Sequence, residues 1–312
     1  MSRVLVTGSA GFIGGYVVAE LLGRGYDVTG IDNLSKYGRP PSPHPRYRFV
    51  EGDVKDLALM SALAQQSDWI IAGAAMIGGI SYFHAYPYDL LAENERIIAA
   101  TCDAAIAGGV GRVVYLSSSM VYESATSWPS HEGQVMPPPV SSYGFQKLAV
   151  ERFARAAWDQ YRLPYTIVRP FNCVGVGEDE KMSHVVPDLV RKVLAGQCPL
   201  EILGDGDQVR HYTYGGDLAK GIVTAMEHPD ARCEDFNLST AESTTVRELA
   251  GLIWRKIRGD EPLRLKHLAS YPHDVQRRIP DTGKAAAVLG WKAETSLSDM
   301  LDVVIEHQRL YG

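Results

Sequence analysis

The first half of the chain alternates short apolar runs with longer stretches in which apolar residues recur at helical spacing. The short runs predict strands at Arg3–Thr7, Tyr26–Ile31, Tyr47–Glu51, Trp69–Ile71, Arg112–Leu116 and Tyr165–Val168. The helical spacing predicts helices at Phe12–Leu22 and near residues 56–65, 89–108 and 142–162. Strands that alternate with helices build βαβ units, so the pattern predicts an α/β fold with a Rossmann-type, doubly wound parallel sheet.

The second half mixes shorter elements and ends in a predicted helix near residues 296–309. We therefore expect a dinucleotide-binding unit over residues 1–171 and a smaller mixed substrate-binding part over residues 172–312. The segment at about 210–240 is expected to return to the first unit. The chain contains no internal repeat, which excludes solenoids and propellers.

Composition narrows the class of protein without naming a function. The 312 residues carry a net charge of −6, so the chain lacks the basic surface that binds nucleic acid or an anionic membrane. Its four cysteines are scattered, which argues against a disulfide framework or a metal site and favours the cytoplasm. The stretch Trp69–Tyr88 has no Asp, Glu, Lys or Arg, but its glycines and proline do not suit a membrane span. We interpret it as a buried strand followed by an active-site loop.

Three glycines follow the first predicted strand in the pattern G-x-x-G-x-x-G. Gly8, Gly11 and Gly14 would let the backbone approach a pyrophosphate whose charge lies at the helix N-terminus. Asp32 ends the second strand, where its carboxylate can accept hydrogen bonds from the ribose hydroxyls of an adenosine. That carboxylate repels a 2′-phosphate, which favours NAD over NADP.

Two further features bear on the dinucleotide. Lys36 and Arg39 follow Asp32 closely and leave NADP open, although both could equally be solvated loop charges. Asp53 ends the third strand, where it could lie beside the adenine.

A tyrosine and a lysine lie one helical turn apart. Tyr143 and Lys147 are at positions i and i+4 of a predicted helix, and they form the chain's only Tyr-x-x-x-Lys. The serines 117–119 precede them at the end of a predicted strand. A nucleotide-binding fold with Ser, Tyr and Lys in this order resembles the short-chain dehydrogenases, which implies that Ser118 holds the reacting hydroxyl group.

The tyrosine and lysine can do acid–base chemistry together. A tyrosine with a pKa of about 10 acts as a base near neutrality only if its pKa falls by about three units, which corresponds to about 4 kcal/mol. One ammonium group about 4 Å away supplies about that much at an effective dielectric constant of about 20. Lys147 alone is therefore expected to lower the pKa of Tyr143 nearly enough, and a positive nicotinamide ring would add to its effect.

Successive motifs along nearly the whole chain resemble the extended short-chain dehydrogenases that act on nucleotide sugars, the NAD-dependent epimerase/dehydratase family. The motifs are VTGSAGFIG, IDNLS, SSSMVY, SSYGFQK, RPFNCVG and LGDGDQVRHYTYGGD. The resemblance implies NAD as cofactor and a nucleoside-diphosphate sugar, UDP- or GDP-linked, as substrate. It also implies a homodimer paired through the helices near 89–108 and 142–162.

The resemblance also implies a set of binding residues. Around NAD it adds five residues to the glycines, Asp32, Asp53, Tyr143 and Lys147. These five are Phe12, Ile13, Asn33, Val54 and Ala74. Asn172 would contact a phosphate, and Arg210 and Arg278 would hold the diphosphate or nucleoside. The remaining residues expected to bind substrate beside Ser118 are Gly79, Ser119, Met120, His184 and Val185.

Two segments make the reaction harder to name. Ala72–Pro87 resembles a loop of GDP-mannose 3,5-epimerase and GDP-fucose synthase, and Ser183–Lys192 places His184 where GDP-fucose synthase has a general acid. Both enzymes carry a cysteine base where this chain has Met120, whose thioether accepts no proton at useful pH. Family dehydratases carry Asp-Glu where this chain has Ser119 and Met120.

These departures leave oxidation and re-reduction at the sugar C4, which is the reaction of a nucleotide-sugar 4-epimerase. Three alternatives stay open. The first is a 3,5-epimerase or epimerase-reductase that uses His184 with an unusual base such as Cys173. The second is a one-way 4-keto reductase, and the third is a non-catalytic dinucleotide sensor.

Overall fold

A computed structural model describes residues 2–38, 40–78, 80–178, 184–270 and 275–311. Its strands are β1 (Arg3–Thr7), β2 (Asp27–Asp32), β3 (Tyr47–Glu51), β4 (Trp69–Ala72), β5 (Arg112–Leu116), β6 (Tyr165–Pro170), β7 (Cys173–Val174), β8 (Leu200–Leu203), β9 (Val209–Arg210), β10 (Thr213–Tyr214), β11 (Glu234–Leu238), β12 (Thr244–Thr245) and β13 (Leu265–Leu268). Its α-helices are α1 (Phe12–Gly23), α2 (Leu57–Ala64), α3 (Ile80–Ala85), α4 (Pro87–Gly108), α5 (Ser142–Tyr161), α6 (Val185–Leu194), α7 (Gly215–Glu227), α8 (Val246–Arg258), α9 (Gly283–Leu289) and α10 (Leu297–Tyr311).

The central sheet confirms the predicted fold class. In the described part of the chain it has seven parallel strands in the order β11-β6-β5-β4-β1-β2-β3. The chain moves outward from β1 to β3 and then returns to place β4 on the other side of β1. This reversal leaves a crevice at the carboxyl ends of β1 and β4, where doubly wound folds bind their ligands.

Helices cover both faces of the sheet, as its apolar strands require. On one face α1 and α7 bury residues such as Val17, Leu21 and Ile222 against β1, β5 and β6. On the other face α2, α4 and α5 bury residues such as Met60 and Ala154. The strand β11 lies in the segment 210–240 and pairs with β6 at the edge of the sheet.

The rest of the second half has a core of its own. Helices α6, α8 and α10 pack together, and β8 pairs with β13 beside them. The strands β7, β9, β10 and β12 form two-stranded ladders that connect this part to the sheet. The proposed division near residue 171 stays a prediction.

The uncharged stretch Trp69–Tyr88 begins with a buried strand, but the predicted loop is only partly a loop. Residues 73–78 are irregular, whereas α3 and the first turn of α4 follow, with Pro87 at the start of α4. Proline suits this position because the first helical residue needs no N–H partner. Within the described ranges, no helix has the length and apolarity that a membrane span requires.

Candidate active site

A cleft of about 1150 Å³ opens at the carboxyl ends of the parallel strands. Its lining includes the residues that directly follow β1, β4 and β5, namely Gly8, Gly73 and Ser117. Single-ligand sites usually enclose about 300–1,000 Å³. A cleft of this size at the switch point of the sheet has room for a dinucleotide and a second ligand side by side.

The glycine-rich turn after β1 depends on the absence of side chains. Gly8 has a φ of +71°, and a Cβ atom there would lie 2.8 Å from the Cα of Ala74. A Cβ atom on Gly14 would lie 2.0 Å from the carbonyl oxygen of Gly8. Larger residues would force the first turn of α1 away from the loop, so these glycines allow the close approach that a pyrophosphate needs.

Acidic side chains line the cleft beside the glycine-rich turn. The carboxylate of Asp32 accepts hydrogen bonds from the backbone N–H groups of Ala10 (3.1 Å) and Leu34 (2.8 Å), which hold it at the cleft. Asp53 also lines the cleft and accepts a hydrogen bond from the Lys55 N–H at 2.9 Å. Phe12, Ile13, Asn33, Val54 and Ala74 complete this lining. The residues present therefore fit a dinucleotide with free ribose hydroxyls.

Of the two cations that left NADP open, the structure describes only Lys36. The Lys36 ammonium donates a hydrogen bond to the carbonyl oxygen of Ile77 at 3.1 Å, across the mouth of the cleft. Arg39 lies outside the described residues.

Ser118, Tyr143 and Lys147 come together as predicted, at the floor of the cleft. The Ser141 hydroxyl caps α5 by accepting from the Gly144 N–H at 3.0 Å, so the helix begins just before Tyr143. Tyr143 and Lys147 are each 7% exposed, and Tyr143 shares a hydrogen bond with Ser118. The Lys147 ammonium lies 5.8 Å from the centre of the Tyr143 ring and donates to the Leu116 carbonyl at 3.0 Å.

The electrostatics of the pair differ from the expectation. Burial raises the pKa of Tyr143, while the hydrogen bond with Ser118 and the charge of Arg278 lower it. Burial also lowers the pKa of Lys147 to about 8. The net shift of the pKa of Tyr143 is upward, and Lys147, whose ammonium is directed at a backbone carbonyl, is not among the groups that lower it. Contrary to the expectation, Lys147 by itself therefore does not offset the effect of burial on the phenol.

Several predicted substrate residues line the same cleft: Ser119, Met120, Asn172, His184, Val185 and Arg278. Asn172 has a φ of +34°, and its buried side-chain oxygen has no hydrogen-bond partner among the described residues. A buried polar atom of this kind points to a ligand. Gly79 lies outside the described residues.

Arg210 is the predicted site residue that the described cleft lining does not include. Its guanidinium is buried in β9 and donates to the carbonyl oxygens of Val209 at 3.0 Å and Gln276 at 3.5 Å. Tyr212 lines the cleft instead, with its buried hydroxyl unpartnered in the described structure. Alternation along an extended segment would place residues 210 and 212 on the same face, so it could not have distinguished them.

Glu178 is a cleft residue that was not predicted from the sequence. Its side chain is 6% exposed and lines the cleft, and one oxygen accepts from the His184 backbone N–H at 2.9 Å and contacts the His184 ring nitrogen Nδ1. The other oxygen is buried without a partner among the described residues. No motif marks Glu178, since its pairing with His184 depends on how the chain turns back.

Cys173 also lines the cleft, but burial raises the pKa of its thiol well above the usual value, and the nearby charge of Glu178 raises it further. A thiol in these surroundings stays protonated and is a poor base.

Comparison with known proteins decides the family. The sequence model of the NAD dependent epimerase/dehydratase family matches residues 4–239. The chain belongs to this family. The matched residues include the glycine-rich turn, Asp32, Ser118, Tyr143 and Lys147.

Members of the family that resemble this chain carry out different reactions. The UDP-glucose 4-epimerase of Mycolicibacterium smegmatis is 30% identical, over 98% of each chain. A putative GDP-L-fucose synthase 2 of Oryza sativa subsp. japonica is also 30% identical, over 96% of this chain and 84% of its own length. The UDP-glucose 4-epimerase of Thermotoga maritima, solved with UDP-glucose, superposes with a TM-score of 0.89 at 29% identity and 99% coverage of both chains.

Proposed function

We propose that this protein is an NAD-dependent nucleotide-sugar 4-epimerase that works through a transient 4-keto sugar. The observation that carries the proposal is the side chain placed beside the catalytic phenol. Met120 is buried in an apolar cluster with Tyr143 and Leu90, and it lines the cleft. A methionine there supports chemistry confined to the carbon that Tyr143 serves, since no second acid or base occupies that position.

The cofactor would lie along the glycine-rich turn, with Asp32 and Asn33 at its ribose and Asp53 and Val54 near the adenine. When bound there, NAD would supply the hydride acceptor and donor for oxidation and re-reduction at the sugar C4. Ser118 and Tyr143 would share the C4 hydroxyl, and the Tyr143 phenolate would accept its proton. Lys147 would stabilise the phenolate, and the positive charge of Arg278 would add to this effect.

The substrate side of the cleft favours a nucleoside diphosphate. Arg278 supplies the positive charge, while Asn172 and Tyr212 supply buried polar atoms without partners in the described structure. Inversion requires the 4-keto sugar to turn over between the two hydride transfers. We therefore infer that the diphosphate is the anchored part of the substrate and that the sugar is the part that moves.

To test the proposal, the NAD-loaded enzyme is incubated with a panel of UDP-, GDP-, ADP- and dTDP-sugars. The products are separated by chromatography and assigned by NMR. We expect at least one sugar to yield its C4 epimer. Tyr143→Phe is the matched control, since it should keep NAD and lose turnover. Absence of a 4-epimer from every sugar in the panel would refute the proposal.

A 3,5-epimerase is the second candidate, because His184 lies in the cleft beside the buried Glu178. Neither Met120, which cannot accept a proton, nor Cys173, which is held protonated, can supply the base that this reaction needs. Deuterium incorporated at C3 or C5 by the wild-type enzyme in D2O would favour this candidate over the 4-epimerase.

The homodimer implied by resemblance is also a proposal. Helices α4 and α5 pack against each other within the chain, and Phe145 and Tyr161 of α5 remain exposed. Light scattering at micromolar concentration should give the mass of two chains, and a monomeric mass would contradict the expectation.

A further inference from the structure

A buried cluster of charges lies directly behind the catalytic residues. Glu151, Arg169 and Asp235 are 3%, 4% and 8% exposed. The Arg169 guanidinium donates to both oxygens of Glu151, each at 2.7 Å, and to the Asp235 carboxylate at 2.6 Å. Buried ion pairs of this kind add little net stability, because desolvation offsets most of their attraction. The geometry of this cluster therefore matters more than its contribution to stability.

The ion pair holds both ends of the segment that carries Ser118. The Ser117 hydroxyl donates to Glu151 at 2.7 Å, just before Ser118. On the other side, the Arg169 guanidinium donates to the Tyr122 hydroxyl at 2.8 Å. Tyr122 in turn donates to Asn237 of β11 at 2.9 Å. The short turn Ser119–Tyr122, which includes Met120, lies between these two attachments.

The same ion pair is part of the catalytic helix. Glu151 lies one turn after Lys147 and two turns after Tyr143 on α5, and all three are buried. The Ser117–Glu151 hydrogen bond therefore joins the helix that carries the phenol to the strand end that carries the serine. Together with the Lys147 hydrogen bond to the Leu116 carbonyl, it fixes the helix of Tyr143 against the strand end of Ser118.

We propose that Ser117, Glu151 and Arg169 are positioning residues that set the distance between the Ser118 and Tyr143 hydroxyl groups. The proposal rests on the function proposed above, because its effect is expressed through the Tyr143 phenol. The Ser118 hydrogen bond lowers the pKa of that phenol. A change in this distance therefore alters both the substrate's position and the pH at which Tyr143 becomes a base.

Ser117→Ala tests the proposal with the smallest change, since it removes one hydroxyl group. Ser67→Ala is the matched control. The Ser67 hydroxyl is also buried and donates to the Leu63 carbonyl at 2.9 Å, but Ser67 does not line the cleft. Both variants should lose a similar amount of thermal stability, as expected for one buried hydrogen bond. Only Ser117→Ala should lower kcat, by roughly tenfold, with KM changed less than twofold.

The pH profile and a double-mutant cycle separate positioning from general damage. With Ser117→Ala, the acid limb of the kcat/KM profile should move to higher pH, because Tyr143 loses part of its stabilisation by Ser118. In a Ser118→Ala background, Ser117→Ala should change kcat less than twofold, since the residue it positions is gone. An equal loss of kcat in both backgrounds, or an unshifted acid limb, would overturn the proposal.

Amide hydrogen exchange tests the same arrangement without turnover, so that it can be separated from the proposed reaction. The Met120 N–H donates to the Ser118 hydroxyl oxygen at 3.2 Å. The exchange rate of this amide should rise roughly tenfold in Ser117→Ala but not in Ser67→Ala. It should rise by the same factor in Glu151→Gln, whose folding is checked by thermal melting. Wild-type enzyme without turnover on any sugar would refute the epimerase proposal, while unchanged Met120 exchange in Ser117→Ala would refute the positioning proposal.

Discussion

The buried ammonium group of Lys147 should make the stability of the dinucleotide-free protein depend on pH. Burial lowers its pKa from 10.5 to about 8. Between these values the unfolded chain holds a proton that the folded protein has lost, so the free energy of unfolding rises with pH across this window. Each pKa unit corresponds to about 1.4 kcal/mol, so the full penalty, present below about pH 8, is about 3 kcal/mol.

Lys147→Met removes this penalty while keeping a side chain of similar length. It also leaves the Leu116 carbonyl without its side-chain donor, at a cost of about 1–3 kcal/mol that does not depend on pH. The difference in unfolding free energy between Lys147→Met and the wild type should therefore fall by about 2 kcal/mol from pH 7 to pH 9.5. The same variant should lose turnover, because the lysine serves the phenol.

Urea unfolding of the dinucleotide-free proteins at several pH values measures this difference. Lys292→Met is the control, since Lys292 is exposed and its removal should give a difference that does not change with pH. A difference between Lys147→Met and the wild type that stays constant from pH 7 to pH 9.5 would refute the reasoning, because it would mean that burial does not disfavour the charged lysine.

Three further predictions concern the cofactor and the sugar. Gly14→Ala should lower stability by about 3 kcal/mol, measured by urea unfolding, because its Cβ would lie 2.0 Å from the Gly8 carbonyl oxygen. Gly15→Ala, on the same helix with nothing within 4 Å, should instead raise stability by up to about 1 kcal/mol. Asp32→Ala should weaken NAD binding and lower the ratio of NAD affinity to NADP affinity by roughly tenfold in calorimetric titrations. An equal loss of affinity for NAD and for NADP would contradict the role of the carboxylate. Met120→Cys should admit deuterium from D2O at C3 or C5 while C4 epimerisation persists, and an unlabelled product would show that position 120 is not over the sugar ring.

Elements that depend on local pattern could be predicted from the amino-acid sequence alone. The strands β1, β3 and β5 have the predicted bounds and end at glycine or serine turns, and β1 and β5 are short apolar runs buried on both faces of the parallel sheet. The Tyr143–Lys147 pair could also be predicted, since helical spacing alone places residues i and i+4 on one face of a helix. The glycine-rich turn and Asp32 follow the same logic, because the strand order of a doubly wound sheet brings them to one edge.

Which polar groups contact each other depends on the tertiary structure. The pairing of Glu178 with His184 and the contact of Ser117 with Glu151 join residues that no local period relates. Tyr212 lines the cleft whereas Arg210 donates to backbone carbonyls, and no local period separates the two, since residues two apart share one face of an extended segment. The direction of the pKa shift of Tyr143 could likewise not be predicted from the sequence, because burial and the direction of the Lys147 ammonium are properties of the packed interior. Local sequence specifies backbone conformation, whereas the distances between distant side chains are set only when the layers pack together.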